Sequence, residues 1–120
     1  MSGARTWFFP DGYLPEKTGG KFEAHESLMI LNVTESDADI LLSVYFEDRR
    51  PVRDISLSVP AERIRSFRLD RSGEIGGCVI PPLTQYALRV LSSVPVICQF
   101  GRLDTSQANL SYYGSDGFSE

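Results

Sequence analysis

The chain has 120 residues, of which 42% are hydrophobic and 23% are charged, so it can bury one hydrophobic core but not two. No apolar run approaches the roughly 20 residues that a membrane-spanning helix needs, and no apolar segment typical of a secretory signal follows the first residues. The formal net charge of −4 argues against a surface that attracts nucleic acid or anionic lipid as a whole. Composition therefore predicts a soluble, cytoplasmic single domain.

Apolar residues recur at every second position along the chain, which is the pattern of half-buried strands. In chain order, the predicted strands cover residues 6–9, 26–33, 38–46, 54–59, 64–69, 86–90, 94–100 and 110–113. Turn signals separate them, and one of these signals is the Ser92–Pro95 segment. About eight short strands at this spacing predict an all-β fold, an antiparallel β-sandwich. We expect one domain over residues 1–113 and a frayed acidic tail over residues 114–120.

Two longer segments, 10–23 and 70–84, are rich in glycine and proline and are predicted to be loops. Loops at the rim of a rigid sandwich are where binding sites are usually found. We therefore expect any ligand site to involve this rim.

The residue types needed for catalysis or metal binding are sparse. His25 is the single histidine, and no nucleophile elbow or metal-spaced cluster accompanies it. Cys78 and Cys98 lie in apolar surroundings that are typical of buried free thiols. We expect no catalytic residue, no metal and no cofactor, and hence a protein that is not an enzyme.

Arginine dominates the positive charge, and seven of the ten arginines lie between Arg49 and Arg71. The planar arginine fork pairs with carboxylate or phosphate groups. The structural interpretation is pairing with acidic side chains of this chain or of a sister subunit, and the functional one is an anionic ligand or a docking surface. DNA binding through the same arginines is a further alternative, but the negative net charge of the chain argues against it.

A polar string follows the last apolar strand and runs from Gln99 to residue 107. Arg102 and Asp104 are two residues apart, so on an extended chain they share a face. They either form a salt bridge that fixes a loop or hold a ligand together. Trp7 has two interpretations as well, because it either anchors the core or stacks on the C–H face of a sugar.

Several motifs in a fixed order carry a resemblance to a known family. They are Arg5-Thr6-Trp7, Gly12-Tyr13-Leu14-Pro15, His25-Glu26, Ile30-Leu31-Asn32, Val59-Pro60-Ala61-Glu62-Arg63, Pro95-Val96 with Gln99, and Arg102-Leu103-Asp104. In this order and spacing the chain resembles the sensory rhodopsin transducer family, which is named for a soluble cyanobacterial partner of a sensory rhodopsin.

The resemblance implies a β-sandwich that assembles as a homotetramer and binds a small molecule, with sugars or related metabolites as the favoured class. Many relatives occur without a rhodopsin, so the family name does not fix the partner. The family's polar positions fall on Trp7, His25, Glu26, Asn32, Arg63, Gln99, Arg102 and Asp104.

Our leading hypothesis is a non-enzymatic sensor that binds a sugar or sugar derivative through these eight residues. Trp7 would stack on the ligand, His25 and Glu26 would bind its hydroxyl groups, and Arg102 with Asp104 would orient it. The alternative is a transducer that docks on a sensory rhodopsin or another membrane receptor or regulator.

Overall fold

The structure, a computed structural model, describes residues 2–16, 23–104 and 111–120, the side chains of residues 104, 111–113 and 115 excepted. These residues form eight strands: β1 (Ala4–Tyr13), β2 (His25–Asn32), β3 (Ala38–Phe46), β4 (Val52–Val59), β5 (Arg63–Arg68), β6 (Gln85–Asp104), β7 (Ser111–Ser115) and β8 (Phe118–Ser119). Every strand pair among them is antiparallel. The predicted all-β antiparallel fold is confirmed.

The strands form two hydrogen-bonded layers that share β6. The first layer, sheet A, has the order β4-β3-β6-β1-β8. In the second, sheet B, β2 pairs with β5 and with the second half of β6, and β7 pairs with that half on its other side. β6 thus joins the layers covalently and is the longest element of the fold, with 20 residues.

The single strand β6 replaces two strands and a turn that the sequence predicted. Where β6 leaves sheet A, its register against β1 shifts from the pair Thr6 and Leu91 to the pair Ala4 and Val96. β6 therefore advances five residues while β1 advances two, and the extra residues form an irregularity at the predicted turn. Pro95 lies in this irregularity, where its missing N–H costs no ladder hydrogen bond. The turn signal thus marks a change of sheet within one strand.

The core lies between the layers and is built by the predicted inward residues. Ala38, Ile40, Leu42 and Val44 of β3 are buried, as are the alternating residues Leu88 and Val90, Val96, Cys98 and Phe100 of β6. Partly buried Trp7, Phe46, Leu57 and Val94 pack against this cluster. Because the apolar core residues follow period two along β3 and β6, the residues that alternate with them lie on the outer faces of the sheets.

The carboxyl-terminal residues differ from the predicted frayed tail. Phe118 and Ser119 pair with Phe8 and Trp7 of β1, and the backbone N–H of Glu120 donates to the Thr6 carbonyl oxygen at 3.1 Å. The edge of β1 supplies unpaired backbone groups that this segment satisfies. A short β8 therefore closes sheet A on that side.

Among the described residues the one helix is a three-residue 3₁₀ turn, Ser72–Glu74. None of these residues belongs to a helix with the length and apolar character needed to cross a bilayer.

Candidate functional site

Glu26 is the centre of the polar network that the structure builds from the predicted site residues. Its side chain is fully buried on β2 and lies opposite Arg102 of β6 in the strand register. One carboxylate oxygen accepts from the Tyr86 hydroxyl at 2.6 Å and from the Tyr13 backbone N–H at 2.9 Å. The other accepts from the Arg102 Nε group. Three residues thus bind the carboxylate, Tyr86, Tyr13 and Arg102.

The Arg102 guanidinium adds a second contact between the network and β1. Its Nη2 group donates to the Asp11 carbonyl oxygen at 3.4 Å, and its side chain is 19% exposed. β1, β2 and both halves of β6 are therefore held together through one carboxylate. The predicted partner Asp104 is the last residue of β6, and its side chain lies outside the described part of the structure.

Burial and hydrogen bonding act on Glu26 in opposite directions. Loss of hydration raises the pKa of Glu26, whereas the Tyr86 hydroxyl, the Arg102 charge and the Tyr13 N–H each favour the ionised form. Burial and the neighbouring carboxylate raise the pKa of Tyr86 above its usual value, so the phenol stays a donor.

Gly12 makes room for this arrangement. A Cβ atom at position 12 would overlap the Tyr86 ring, which packs directly against the glycine backbone. The hydroxyl of Tyr86 reaches Glu26 only because β1 carries no side chain there. With its oxygens engaged, Glu26 holds the fold and is not placed to bind hydroxyl groups of a ligand.

Asn32 is also a structural residue. Its Nδ2 group donates to the carbonyl oxygens of Ser36, Val59 and Pro60 at 2.8, 3.1 and 3.3 Å. Its Oδ1 atom accepts from the N–H and the hydroxyl of Thr34 at 3.0 and 2.7 Å. The side chain is fully buried, so every one of its polar atoms serves the β2–β3 and β4–β5 connections.

His25 and Arg63 lie apart from the network centre. The His25 Nδ1 atom is 2.8 Å from the Glu23 carbonyl oxygen, near the start of β2. Arg63 is exposed at the start of β5 and donates to the Glu62 carbonyl oxygen at 3.0 Å. His25 begins β2 and Arg63 pairs with Asn32 at the other end of that strand, so the two residues lie far apart.

The arginines between Arg49 and Arg71 mostly have partners within the chain. Arg68 binds both oxygens of Asp70 at 2.7 Å and also reaches Glu23 at 3.2 Å, and Arg49 binds Asp48 at 2.9 Å. The Asp70 carboxylate holds the pKa of Arg68 above its usual value. Further guanidinium groups lie over aromatic rings, Arg53 over Tyr45 and Arg65 over Phe67. These contacts favour the structural interpretation of the cluster.

Trp7 and Gln99 are two predicted residues that meet at one open cleft of the described structure. The cleft has a volume of about 410 Å³ and is lined by Trp7, Ile97, Cys98, Gln99, Asp116, Gly117 and Ser119. The indole Nε1 group donates to the carbonyl oxygens of Ala4 and Val96 at 3.1 and 3.0 Å. These bonds fix the indole, whose ring stacks on Phe9 at 6.3 Å between centroids and also borders the cleft.

The polar groups of this cleft are available. Gln99 is exposed and its amide lies against the backbone of Gly114, while Asp116 is exposed in the segment before β8. Neither side chain bonds another described residue. Sequence reasoning missed Asp116 because that segment was expected to fray, and only the pairing of β8 brings it to Trp7.

A second cavity lies at the rim, where the two predicted loops meet. It has a volume of about 460 Å³ and is lined by Leu14, Pro15, Glu16, Asp70, Ile80 and Pro82. The backbone N–H of Leu83 donates to the Leu14 carbonyl oxygen at 2.8 Å and joins the loops. The Asp70 carboxylate in its wall is already bound by Arg68, which leaves few polar groups to orient a ligand.

Thiols and acidic side chains are residue types that could hold a metal ion. Cys78 and Cys98 are free and buried, as the sequence predicted, and burial raises the pKa of Cys98 to about 12. Over residues 2–16, 23–104 and 111–120, no three His, Cys, Asp or Glu side chains converge on a point that could hold a metal ion.

We predict that the Glu26–Arg102 pair behaves as a structural anchor in a double-mutant cycle. Arg102→Met and Glu26→Gln should each lower the unfolding free energy by about 3 kcal/mol, because each leaves a buried polar group without its partner. The double variant should lose clearly less than the two single losses combined. Urea unfolding followed by circular dichroism measures all four proteins.

Arg49→Met is the matched control, because the ion pair of Arg49 with Asp48 is exposed and should contribute little. An Arg102→Met variant as stable as Arg49→Met would contradict the assignment of the pair as an anchor.

Comparison with known proteins agrees with this architecture. The family model described as Anabaena sensory rhodopsin transducer matches residues 2–119. The crystal structure of Thermotoga maritima 1070 is similar with a TM-score of 0.87 and 36% identity, over 100% of this chain and 97% of that chain. The Anabaena sensory rhodopsin transducer is similar with a TM-score of 0.74 and 34% identity, over 89% of this chain and 94% of that chain. Curated protein sequences give no match. Since the family model spans nearly the whole chain, the protein belongs to the Anabaena sensory rhodopsin transducer family.

Proposed function

We propose that the protein is a non-enzymatic, cytoplasmic transducer module that binds a small polyhydroxylated metabolite, a sugar or sugar derivative, in the Trp7 cleft. The observation that carries the proposal is the meeting of an immobilised indole with an unengaged amide and an unengaged carboxylate. Membership of a transducer family supports the signalling part of the proposal.

The chemistry of the cleft suits a sugar. An indole ring offers an apolar face to the C–H face of a pyranose, and two carbonyl oxygens already hold that ring in place. Gln99 has both donors and an acceptor for hydroxyl groups, and Asp116 is an acceptor. The volume of about 410 Å³ is within the range of about 300–1,000 Å³ that is usual for small-molecule sites.

The site that we propose is smaller than the one predicted from the sequence. It keeps Trp7 and Gln99 and adds Asp116, with Ile97 and Ser119 in its wall. Glu26, Asn32 and Arg102 are left out because their polar atoms are bound within the chain. His25 and Arg63 are left out because they do not line the cleft.

We predict that a sugar ligand stabilises the protein and that Gln99 and Asp116 determine the affinity. In a thermal-shift screen of neutral sugars, sugar acids and phosphosugars, a ligand at a hundredfold its Kd should add about 2.7 kcal/mol, which raises Tm by several degrees. Gln99→Ala and Asp116→Ala should each weaken binding by about tenfold, since each removes a hydrogen bond to the ligand. The fluorescence of Trp7, the single tryptophan, gives the Kd.

Glu47→Ala is the matched control, because Glu47 is an exposed carboxylate that does not line the cleft. Its affinity for the sugar should equal that of the wild type. A screen without a hit, or a hit whose affinity is unchanged in both cleft variants, would contradict the proposal.

We also propose that the module works as the homotetramer that the family resemblance implies, with the outer face of sheet B as one contact. Ile64 of β5, Leu31 of β2 and Ile97 of β6 lie directly opposite one another in the register, and we call them the Ile64 row. Ile64 is 63% exposed and Ile97 is 38% exposed. The row carries no charge, so it can pack against the same row of a second copy without like-charge repulsion.

We predict that Ile64→Glu lowers the assembly state, because it places a charge in an apolar contact. Light scattering coupled to size-exclusion chromatography should give four times the chain mass for the wild type and a lower multiple for the variant. Val79→Glu is the control, since Val79 is 70% exposed but lies outside the row. A monomeric wild type, or an Ile64→Glu variant that stays tetrameric, would contradict this contact.

A further inference from the structure

The outer face of sheet A carries a second group of exposed apolar side chains. Leu41 of β3 lies opposite Leu91 of β6, and Arg89 of β6 lies opposite Phe8 of β1. Phe8 in turn lies opposite Phe118 of β8. These five residues, which we call the Arg89 face, point away from the core because the residues that alternate with Leu41 and Arg89 are buried.

The apolar members of this face are accessible to a partner. The exposed fractions are 36% for Phe8, 39% for Leu41 and 67% for Phe118. Large apolar side chains on four neighbouring strands form a contiguous patch, and such patches on a protein surface usually mark binding sites.

Arg89 occupies the middle of the patch without a partner. Its Nε atom is buried and has no hydrogen-bond acceptor. No ion pair joins its guanidinium to any described residue. What sets Arg89 apart from the other described arginines is this buried Nε atom, the one buried side-chain nitrogen or oxygen of the described residues that lacks a hydrogen bond. Buried polar groups are almost always hydrogen-bonded, so an orphaned guanidinium nitrogen calls for an explanation.

Asp54 of β4 is an acidic residue on the same sheet, but it is not a counter-ion of Arg89. Asp54 of β4 donates its backbone N–H to the Ser43 hydroxyl at 3.4 Å, and Ser43 is the β3 residue opposite Arg89. The Asp54 carboxylate nevertheless forms no ion pair with Arg89. The Arg89 guanidinium thus lies among apolar side chains without a carboxylate partner in the described residues, so a binding partner could provide one.

We infer that the Arg89 face binds a partner protein through a segment that presents one carboxylate among apolar residues. The carboxylate would accept hydrogen bonds from the guanidinium, and the apolar residues would cover Phe8, Leu41 and Phe118. A second copy of this chain is disfavoured as the occupant, because its own Arg89 face would bring another cation. The inference adds a protein partner to the proposed function and stands independently of the sugar site.

The test begins with a library of random twelve-residue peptides displayed on phage and selected against the full-length protein without any sugar. The expected peptides carry Asp or Glu flanked by apolar residues. A synthetic copy of the best peptide should bind Arg89→Met at least about tenfold more weakly than the wild type, because a buried charge pair is lost. Arg89→Lys should give a partial loss, since lysine keeps the charge but not the fork.

Arg50→Met is the matched control, because Arg50 is exposed and lies outside the Arg89 face, and it should bind the peptide like the wild type. Thermal unfolding is a second measurement, because the two possible roles of Arg89 predict opposite changes in Tm. Arg89→Met should raise Tm, because it keeps the aliphatic stem and removes the orphaned Nε atom, whereas loss of a structural arginine lowers Tm.

Four results would overturn the inference: no enriched peptide, enriched peptides without an acidic residue, peptide binding unchanged in Arg89→Met, or a lowered Tm for that variant. Assembly of the wild type that depends on Arg89 would also overturn it, in favour of a second copy as the occupant. None of these results bears on the Trp7 cleft, so failure here and failure of the sugar site can be told apart.

Discussion

The buried carboxylate of Glu26 is the interaction on which the rest of the structure depends. It joins the end of β1, the start of β2 and both halves of β6 through Tyr13, Tyr86 and Arg102. β6 changes sheet between Tyr86 and Arg102, so the relative position of the two sheets is fixed where one carboxylate meets both residues. A buried charge of this kind is tolerated only when hydrogen bonds surround it, and here they do.

Hydrogen bonding within the chain distinguishes the residues that hold the fold from those whose polar atoms are available to a ligand. Glu26, Asn32 and Arg102 have their polar atoms bound inside the chain, whereas Gln99 keeps its amide unengaged beside Trp7. Trp7 has both roles, because its N–H donates hydrogen bonds to two backbone carbonyl oxygens while its ring borders the cleft. Family membership alone does not distinguish these roles, since it marks all of these positions alike.

The sequence predicted the strands well because burial on one face of a strand requires alternation, and alternation is visible in a single chain. It did not predict that Ser92–Pro95 stays within a strand, because serine and proline give the same signal at a turn and at a change of sheet. The partner of Arg102 was also missed, since Glu26 is 76 residues away and only the register of β2 with β6 brings the two together. Asp116 and Arg89 could not be found by motif, because their environments arise from strand pairing alone.

A two-dimensional ¹H–¹⁵N NMR titration would test the central claim, that the Glu26 network is structural and the ligand binds beside Trp7. The chain has one indole N–H, and the side-chain signals of Gln99 and Arg102 report the cleft and the network separately. On addition of the sugar that gives the largest thermal shift, the signals of Trp7 and Gln99 should move while the Nε–H signal of Arg102 stays in place. Movement of the Arg102 signal with Trp7 and Gln99 unchanged would contradict the account.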